Sequence, residues 1–293
     1  MFTTYPTMTI NCKGRLLDLS TPLVMGILNL TPDSFHDGGM YSDIDAILRH
    51  TEQMLTEGAD IIDIGGMSSK PGNKIIAIEE ELNRVIEPIK AIYERFPAAI
   101  LSIDTVHAEV AQQAVESGVS IVNDISSGTL DEEMIPTVAR LGTPYIIMHM
   151  QGTPETMQDS PLYTNVVTEV MDQLAERVKT CRLAGIKDII IDPGFGFGKT
   201  NEHNFQLLKA LSLFKMLGCP ILTGLSRKSM ITKTLGIKNA DALNGTTVLN
   251  TVALLTGANI LRVHDVKEAK EAVKLVTEIG KSGNQLNTNC HQS

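Results

Sequence analysis

Short β-branched apolar runs alternate along this chain with longer stretches of helical period. The runs are Leu23 to Leu28, Asp60 to Ile64, Ala99 to Ile103, Ser120 to Val122, Tyr145 to Met148, Asp188 to Ile191, Pro220 to Leu222 and Asn259 to Val263, eight in all. Between them apolar residues step by three and four. Leu82, Val85, Ile86, Ile89, Ile92, Tyr93 and Phe96 form one such stripe; Val166, Val170, Met171, Leu174 and Val178 a second; Val266, Ala269, Val273, Val276 and Ile279 a third. Charged residues fill the opposite faces and read as solvated helix surface. Apolar strands without strict alternation are buried on both faces, which marks a parallel sheet covered by helices. Eight βα units in a chain of this length predict an α/β fold of the single-domain (β/α)8 TIM barrel type rather than an open doubly wound sheet.

The ends of the chain depart from this rhythm. Met8 to Leu19 alternates apolar and polar around a Lys13-Gly14 turn signal, which predicts that residues 1–20 hold a hairpin closing the bottom of a barrel spanning 21–282. Residues 283–293 are polar and aperiodic and are expected to form a disordered tail.

Composition narrows the partners. The 293 residues carry 25 basic and 34 acidic side chains, a net charge of −9 that argues against non-specific binding to nucleic acid or an anionic membrane surface. An anionic substrate would need a local basic cluster or helix N-termini. Apolar residues at 43 % are enough for a sizeable core, and with only 4 % aromatics and no Trp, Ile, Val, Leu and Met must supply most of it. Cys12, Cys181, Cys219 and Cys290 form no CxxC pair and read as reduced thiols, not a zinc or redox site. With no leader-like segment and no run of 18 apolar residues, a cytoplasmic protein is expected.

Barrel chemistry sits where strands end. The residues there are Asn29, Asp63 to Gly66, Asp104, Asn123-Asp124, Met148-His149, Asp192, Gly224 to Lys228, and Arg262-Val-His264. Each alone is weak evidence, because Asp and Asn also cap the helices that follow; polar groups at nearly every strand end point to a site. Asp104, Asn123 and Asp192 suit a planar heterocycle with guanidine-like N–H donors, because a carboxylate accepts two such bonds side by side. Lys228 suits its carbonyl edge, and Met148 and Phe197 offer apolar faces. Asn29, Arg262 and His264, on the first and last strands, suit a phosphate or diphosphate with its metal.

Asp192-Pro-Gly-Phe-Gly-Phe-Gly-Lys-Thr200 invites two misreadings. A Walker loop needs glycine where Pro193 stands, and a dinucleotide fingerprint needs glycine where Lys199 stands. The alternating glycines imply tight bends or close approach to a ligand. His149 reads as a packed strand-end residue, and Arg227-Lys228 as a functional pair following a strand.

These segments, Gly26-Ile-Leu-Asn-Leu-Thr-Pro-Asp-Ser-Phe-His-Asp-Gly-Gly39 above all, with Asp63-Ile-Gly-Gly-Met-Ser-Ser-Lys-Pro-Gly72, Ser102 to Thr105, Asn123 to Ile125, Met148 to Gln151, Asp192 to Lys199, Ser226-Arg-Lys-Ser229 and Arg262 to Asp265, resemble the dihydropteroate synthase family over roughly residues 20 to 280. The resemblance implies condensation of 6-hydroxymethyl-7,8-dihydropterin diphosphate with 4-aminobenzoate, with Mg2+ as cofactor, in a homodimer formed through outer helices. It implies that Asp104, Asn123, Met148, Asp192, Gly224, Lys228 and Arg262 bind the pterin; that Asn29, Lys70, Arg262 and His264 take the diphosphate, with Asn29 on the metal; and that Ser69, Pro71, Phe197, Lys228 and Ser229 take 4-aminobenzoate. Asp33, Phe35 and Asp37 would act from a mobile first loop, together with Lys228 and Arg262 in catalysis. In the second loop Met67, Ser69 and Lys70 stand where the family commonly has Glu, Thr and Arg. Two other readings are a pterin-dependent methyltransferase working with a corrinoid protein and a non-catalytic pterin-binding paralogue; Asn29, Arg262 and His264 together weigh against the first.

Overall fold

The computed structural model describes residues 8–31, 40–68, 72–157 and 161–282, with backbone alone at 40–43. The N-terminal alternation forms the expected hairpin. β1 (Thr9–Cys12) pairs antiparallel with β2 (Arg15–Asp18), Thr9 opposite Asp18 and Cys12 opposite Arg15. The turn sits at Lys13 and Gly14, both at positive φ.

Eight parallel strands follow: β3 (Leu23–Asn29), β4 (Ile61–Gly65), β5 (Ile100–Asp104), β6 (Ile121–Asp124), β7 (Tyr145–Met148), β8 (Ile189–Asp192), β9 (Leu222–Thr223) and β10 (Ile260–Val263). Each pairs with its sequence neighbour from β3 to β8, while β10 joins β3 to β9. A bridge between Ile191 and Ile221 closes the seam between β8 and β9. β9 is short because Pro220 has no N–H for a ladder; its carbonyl instead accepts from Ile191 N at 2.9 Å, and Asn259 Oδ1 accepts from Ile221 N at 2.9 Å. Helices return the chain after every strand: α1 (Met40–Glu57), α2 (Ile78–Arg95), α3 (Ala108–Glu116), α4 (Met134–Leu141), α5 (Val166–Leu183), α6 (Asn201–Lys209), α7 (Ser229–Leu235) with α8 (Leu243–Thr256) after β9, and α9 (Val266–Ser282). The three apolar stripes of the sequence fall on α2, α5 and α9.

Strand periodicity divides the core in two. Val24, Leu28, Ile62, Ile64, Leu101, Ile103, Val122, Ile147, Ile191 and Leu261 pack outward against the helices. Leu23, Met25, Ile61, Ile100, Ile121, Ile146, Ile190, Leu222 and Ile260 point into the barrel, where Ile10, Cys12 and Leu19 of the hairpin segment cover them from below. The hairpin therefore plugs the end of the barrel at which the strands begin.

Candidate active site

Side chains alternate along a strand, so the residues two and four positions beyond the lower apolar layer also point inward. That rule places Asp63 above Ile61, Asp104 above Ile100, Asn123 above Ile121, Met148 above Ile146, Asp192 above Ile190, Gly224 above Leu222 and Arg262 above Ile260. Asn29 lies above Met25 in the same way. Every strand residue assigned to the pterin thus shares one parity.

Arg262 is the hub. Its Nε donates to Asp63 Oδ2 at 2.6 Å and its Nη2 to Asp104 Oδ2 at 2.6 Å, while Asn123 Nδ2 donates to Asp63 Oδ2 at 3.0 Å. Asp63 is fully buried, and its Oδ1 has no hydrogen-bond partner among the described residues. Burial opposes the Arg262 charge, but Asp63 and Asp104 outweigh it and raise its pKa. Burial pushes the Asp104 carboxyl up; Arg262 pulls it down, and Asp63, Asp124 and Asp192 push it further up.

Across the barrel, burial raises Asp192 against the pull of Lys228. Burial also drives Lys228 down to about 8, with Asp192 opposing that shift and Arg262 adding to it. The Lys228 ammonium donates to Phe195 O and stands 4.7 Å above the centre of the Phe197 ring. Met148 lies under the same rim, in an apolar cluster with Met67, Val106, Ile125, Met150 and Met157 that Phe197 packs against. Met67, one of the departures in the second loop, is therefore a buried apolar contact where the family commonly has a carboxylate.

Glycines set the course of the loop after β8. Gly194, Gly196 and Gly198 all have positive φ, between 64° and 83°. A Cβ on Gly194 would lie 1.9 Å from His149 O, and one on Gly198 would lie 2.6 Å from Gln151 O. Both left-handed backbone and close approach to β7 demand glycine here. His149 is packed, as its position suggested: Lys199 Nζ lies 2.8 Å from its Nδ1, and burial together with Lys199 pushes its pKa down to about 3.

Three neighbours turn out to be structural. Asp124 points out of the barrel, where both oxygens are taken by Ser126 N, Ser126 Oγ, Gly128 N and the Tyr145 hydroxyl, each at 2.7 Å. Arg227 corrects the expectation of a functional Arg-Lys pair. Its guanidinium grips Asp265 with bonds of 2.9 and 2.7 Å and donates to the Asn239 and Ala240 carbonyls, tying the β9 loop to its surroundings, away from Lys228. Ser226 Oγ lies 3.1 Å from His264 Nδ1 and accepts from His264 N, fixing the exposed His264 on the rim.

Asn29 and Ser229 stand at the mouth, Asn29 half-buried and Ser229 exposed at the start of α7. A Cβ at Gly65 would sit 3.8 Å from Asn29 Oδ1 and 3.6 Å from Asp104 Cβ, so the amide and the carboxylate flank one bare glycine. Among the described residues no cluster of three His, Cys, Asp or Glu side chains is arranged to hold a metal. One hard amide oxygen fits only an ion held mainly by substrate phosphates and water, the usual habit of Mg2+. Asp33, Phe35, Asp37, Ser69, Lys70 and Pro71 lie outside the described residues. Sequence reasoning gave no role to Asp63 or Lys199; strand parity marks Asp63, whereas nothing in the local pattern marks Lys199.

The pterin binding enzyme family matches residues 25–264. The Escherichia coli K12 dihydropteroate synthase is 44 % identical over 271 residues, 92 % of this chain and 95 % of that one. The crystal structure of Yersinia pestis dihydropteroate synthase with a sulfonamide drug complex superposes with a TM-score of 0.88 at 41 % identity, covering 94 % of this chain and 100 % of that one. The Xanthomonas albilineans dihydropteroate synthase with 4-aminobenzoic acid gives 0.88 at 39 % identity, covering 94 % and 99 %.

Proposed function

The chain belongs to the dihydropteroate synthase family of pterin binding enzymes, and from that premise we propose how its barrel mouth condenses 6-hydroxymethyl-7,8-dihydropterin diphosphate with 4-aminobenzoate, giving 7,8-dihydropteroate and diphosphate. The observation carrying the site assignment is the shared inward parity of Asp104, Asn123, Asp192 and Arg262 above an apolar floor. Asp192, Asp104 and Asn123 take the N–H edge of the pterin and Lys228 its carbonyl edge; Met148 and Gly224 shape the slot. Arg262, already gripped by two carboxylates, lies against the ring and reaches the diphosphate with His264 and Lys70. Phe197, Ser229, Lys228, Ser69 and Pro71 hold 4-aminobenzoate.

Chemically, the bond from the pterin methylene carbon to the diphosphate oxygen breaks, and its electron pair leaves with diphosphate. Arg262 and His264 stabilise that departing charge. The aniline nitrogen then bonds to the methylene carbon through its lone pair and passes one proton to solvent or the released diphosphate, leaving a neutral secondary amine. Asp33, Phe35 and Asp37 act on the electron-poor carbon from the first loop. No covalent enzyme intermediate is required. Asn29 would hold Mg2+, which supplies charge neutralisation of the diphosphate when bound.

Purified protein given Mg2+ and both substrates should release diphosphate; release no faster than the protein-free background sinks this reading. No described helix is long and apolar enough to cross a membrane, and we place the enzyme in the cytoplasm. Val248 and Val252 on α8, with Leu275 and Ile279 on α9, are exposed apolar residues suited to a homodimer contact. Leu275→Glu should then sediment as a monomer.

A further inference from the structure

One buried titratable group in the glycine-rich loop takes no part in the chemistry proposed for the barrel mouth. Lys199 is only 3 % exposed. Its Nζ lies 2.8 Å from His149 Nδ1, 2.9 Å from Gly194 O, 3.0 Å from Phe197 O and 3.3 Å from His149 O. Three of these contacts are to carbonyl oxygens, which only accept, so Lys199 donates to the backbone of both segments, while its role toward His149 Nδ1 follows the imidazole tautomer. Burial drives the Lys199 pKa well below the ordinary lysine value; Asp192 opposes that shift and Lys228 adds to it. Burying an amino group this deeply is costly unless it is hydrogen-bonded, and here four contacts meet that need.

The loop's other side shows what they do. While Gly194 and Phe197 turn their carbonyls in toward Lys199, Gly194 N donates to Asp192 Oδ1 at 2.7 Å and Gly196 N to Asn204 Oδ1 at 2.7 Å. The alternation leaves the Phe195 carbonyl facing the barrel, where it accepts from Lys228, and sets the Phe197 ring beneath the same ammonium. Lys199 also accounts for the near-contact between Gly194 and His149 O, since it draws both segments to one point.

We propose that Lys199 is a positioning residue: by gathering backbone carbonyls and the His149 ring from the ends of β7 and β8 around one buried amino group, it fixes the Phe195 carbonyl and the Phe197 ring that present Lys228 to 4-aminobenzoate. The proposal rests on the synthase reading. Its chemistry is that of a strut, touching no reacting atom and acting through Phe197 and Lys228.

The test is a double-mutant cycle on folded enzyme. Lys199→Met should raise the KM for 4-aminobenzoate at least tenfold and that for the pterin diphosphate less than threefold. Combined with Phe197→Leu, it should add less than twofold to the effect of Phe197→Leu alone. Equal changes in the two KM values, no change in either, or multiplicative effects in the double variant would overturn the proposal. Should Lys199→Met fail to fold, His149→Leu removes one side-chain partner and should show the same split at about threefold. A readout independent of turnover separates this idea from the synthase reading: in protein labelled with 4-fluorophenylalanine, the Phe197 fluorine line, assigned by its loss in Phe197→Leu, should shift or split in Lys199→Met or His149→Leu. An unmoved line overturns the strut even if the enzyme proves inactive on both substrates.

Discussion

The two ends of the barrel are built from the same strands, yet they obey opposite rules. Below, the inward positions are Leu23, Met25, Ile61, Ile100, Ile121, Ile146, Ile190, Leu222 and Ile260, sealed by a hairpin. Two residues further along the same strands, the inward positions become Asp63, Asn123, Asp192 and Arg262. The lower layer gains stability from every side chain it buries, each fully buried Ile or Leu contributing about 1.5–3 kcal/mol. The upper layer gathers partly desolvated charges whose mutual pairing only offsets the cost of burying them. Binding power is concentrated where folding profits least, and the floor makes that arrangement tolerable.

The sharpest way to break the comparison is to exchange one residue at each level. Arg262→Met strips the cation from two buried carboxylates, so it should cost about 3–5 kcal/mol in denaturant unfolding and lower kcat/KM at least about a hundredfold. Ile190→Ala, one layer down and fully buried, should cost about 2–5 kcal/mol through the cavity it leaves, while the folded fraction keeps wild-type kcat/KM. If Ile190→Ala also disabled the folded enzyme, the two layers would not be separable.

How far the sequence discloses this division depends on range. The eight strands follow from apolar runs, and a polar residue at each strand end flags the mouth. Strand parity, a purely local signal, separates Asn123 from Asp124 and Met148 from His149, and it admits Asp63, which sequence reasoning left without a role. Arg227 defeats the local argument because its partner Asp265 lies 38 residues away, on the far side of α8. Lys199 defeats it differently: its acceptors come from β7 and from its own loop folded back by three left-handed glycines, a geometry that no periodicity encodes.

A smaller effect sharpens the comparison through charge. Lys228→Ala and Asp192→Asn should each lower kcat/KM at least about tenfold, a loss of about 1.4 kcal/mol in the transition state. The pH dependence is more telling. Lys228 titrates at about 8 in the folded protein against an ordinary 10.5. Between those values the unfolded chain holds a proton that the folded chain has released, so this group's contribution to stability rises with pH. Activity, which needs the ammonium, should fall through about pH 8. Stability and kcat/KM are therefore expected to move in opposite directions from pH 8 to 10. The difference in unfolding free energy between wild type and Lys228→Met, followed across that window, isolates the group; a difference that stays flat would remove Lys228 as its source.

The mildest expected effect uses two glycines of similar backbone and different surroundings. Gly142 ends α4 at φ 66°, on the way into the lower end of β7, and Gly194 follows β8 at φ 71° on the upper side. A Cβ on Gly142 meets nothing within 4 Å, whereas one on Gly194 collides with His149 O. Gly142→Ala should therefore cost only the left-handed conformational penalty of about 1–2 kcal/mol and leave kcat/KM unchanged. Gly194→Ala carries that same penalty plus a backbone collision that must push the loop, and Phe197 with it, away from Lys228. Thermal unfolding together with the KM for 4-aminobenzoate reads both quantities. Equal damage from the two substitutions would mean that backbone conformation alone explains the glycine, and that its approach to β7 has no part in placing the substrate.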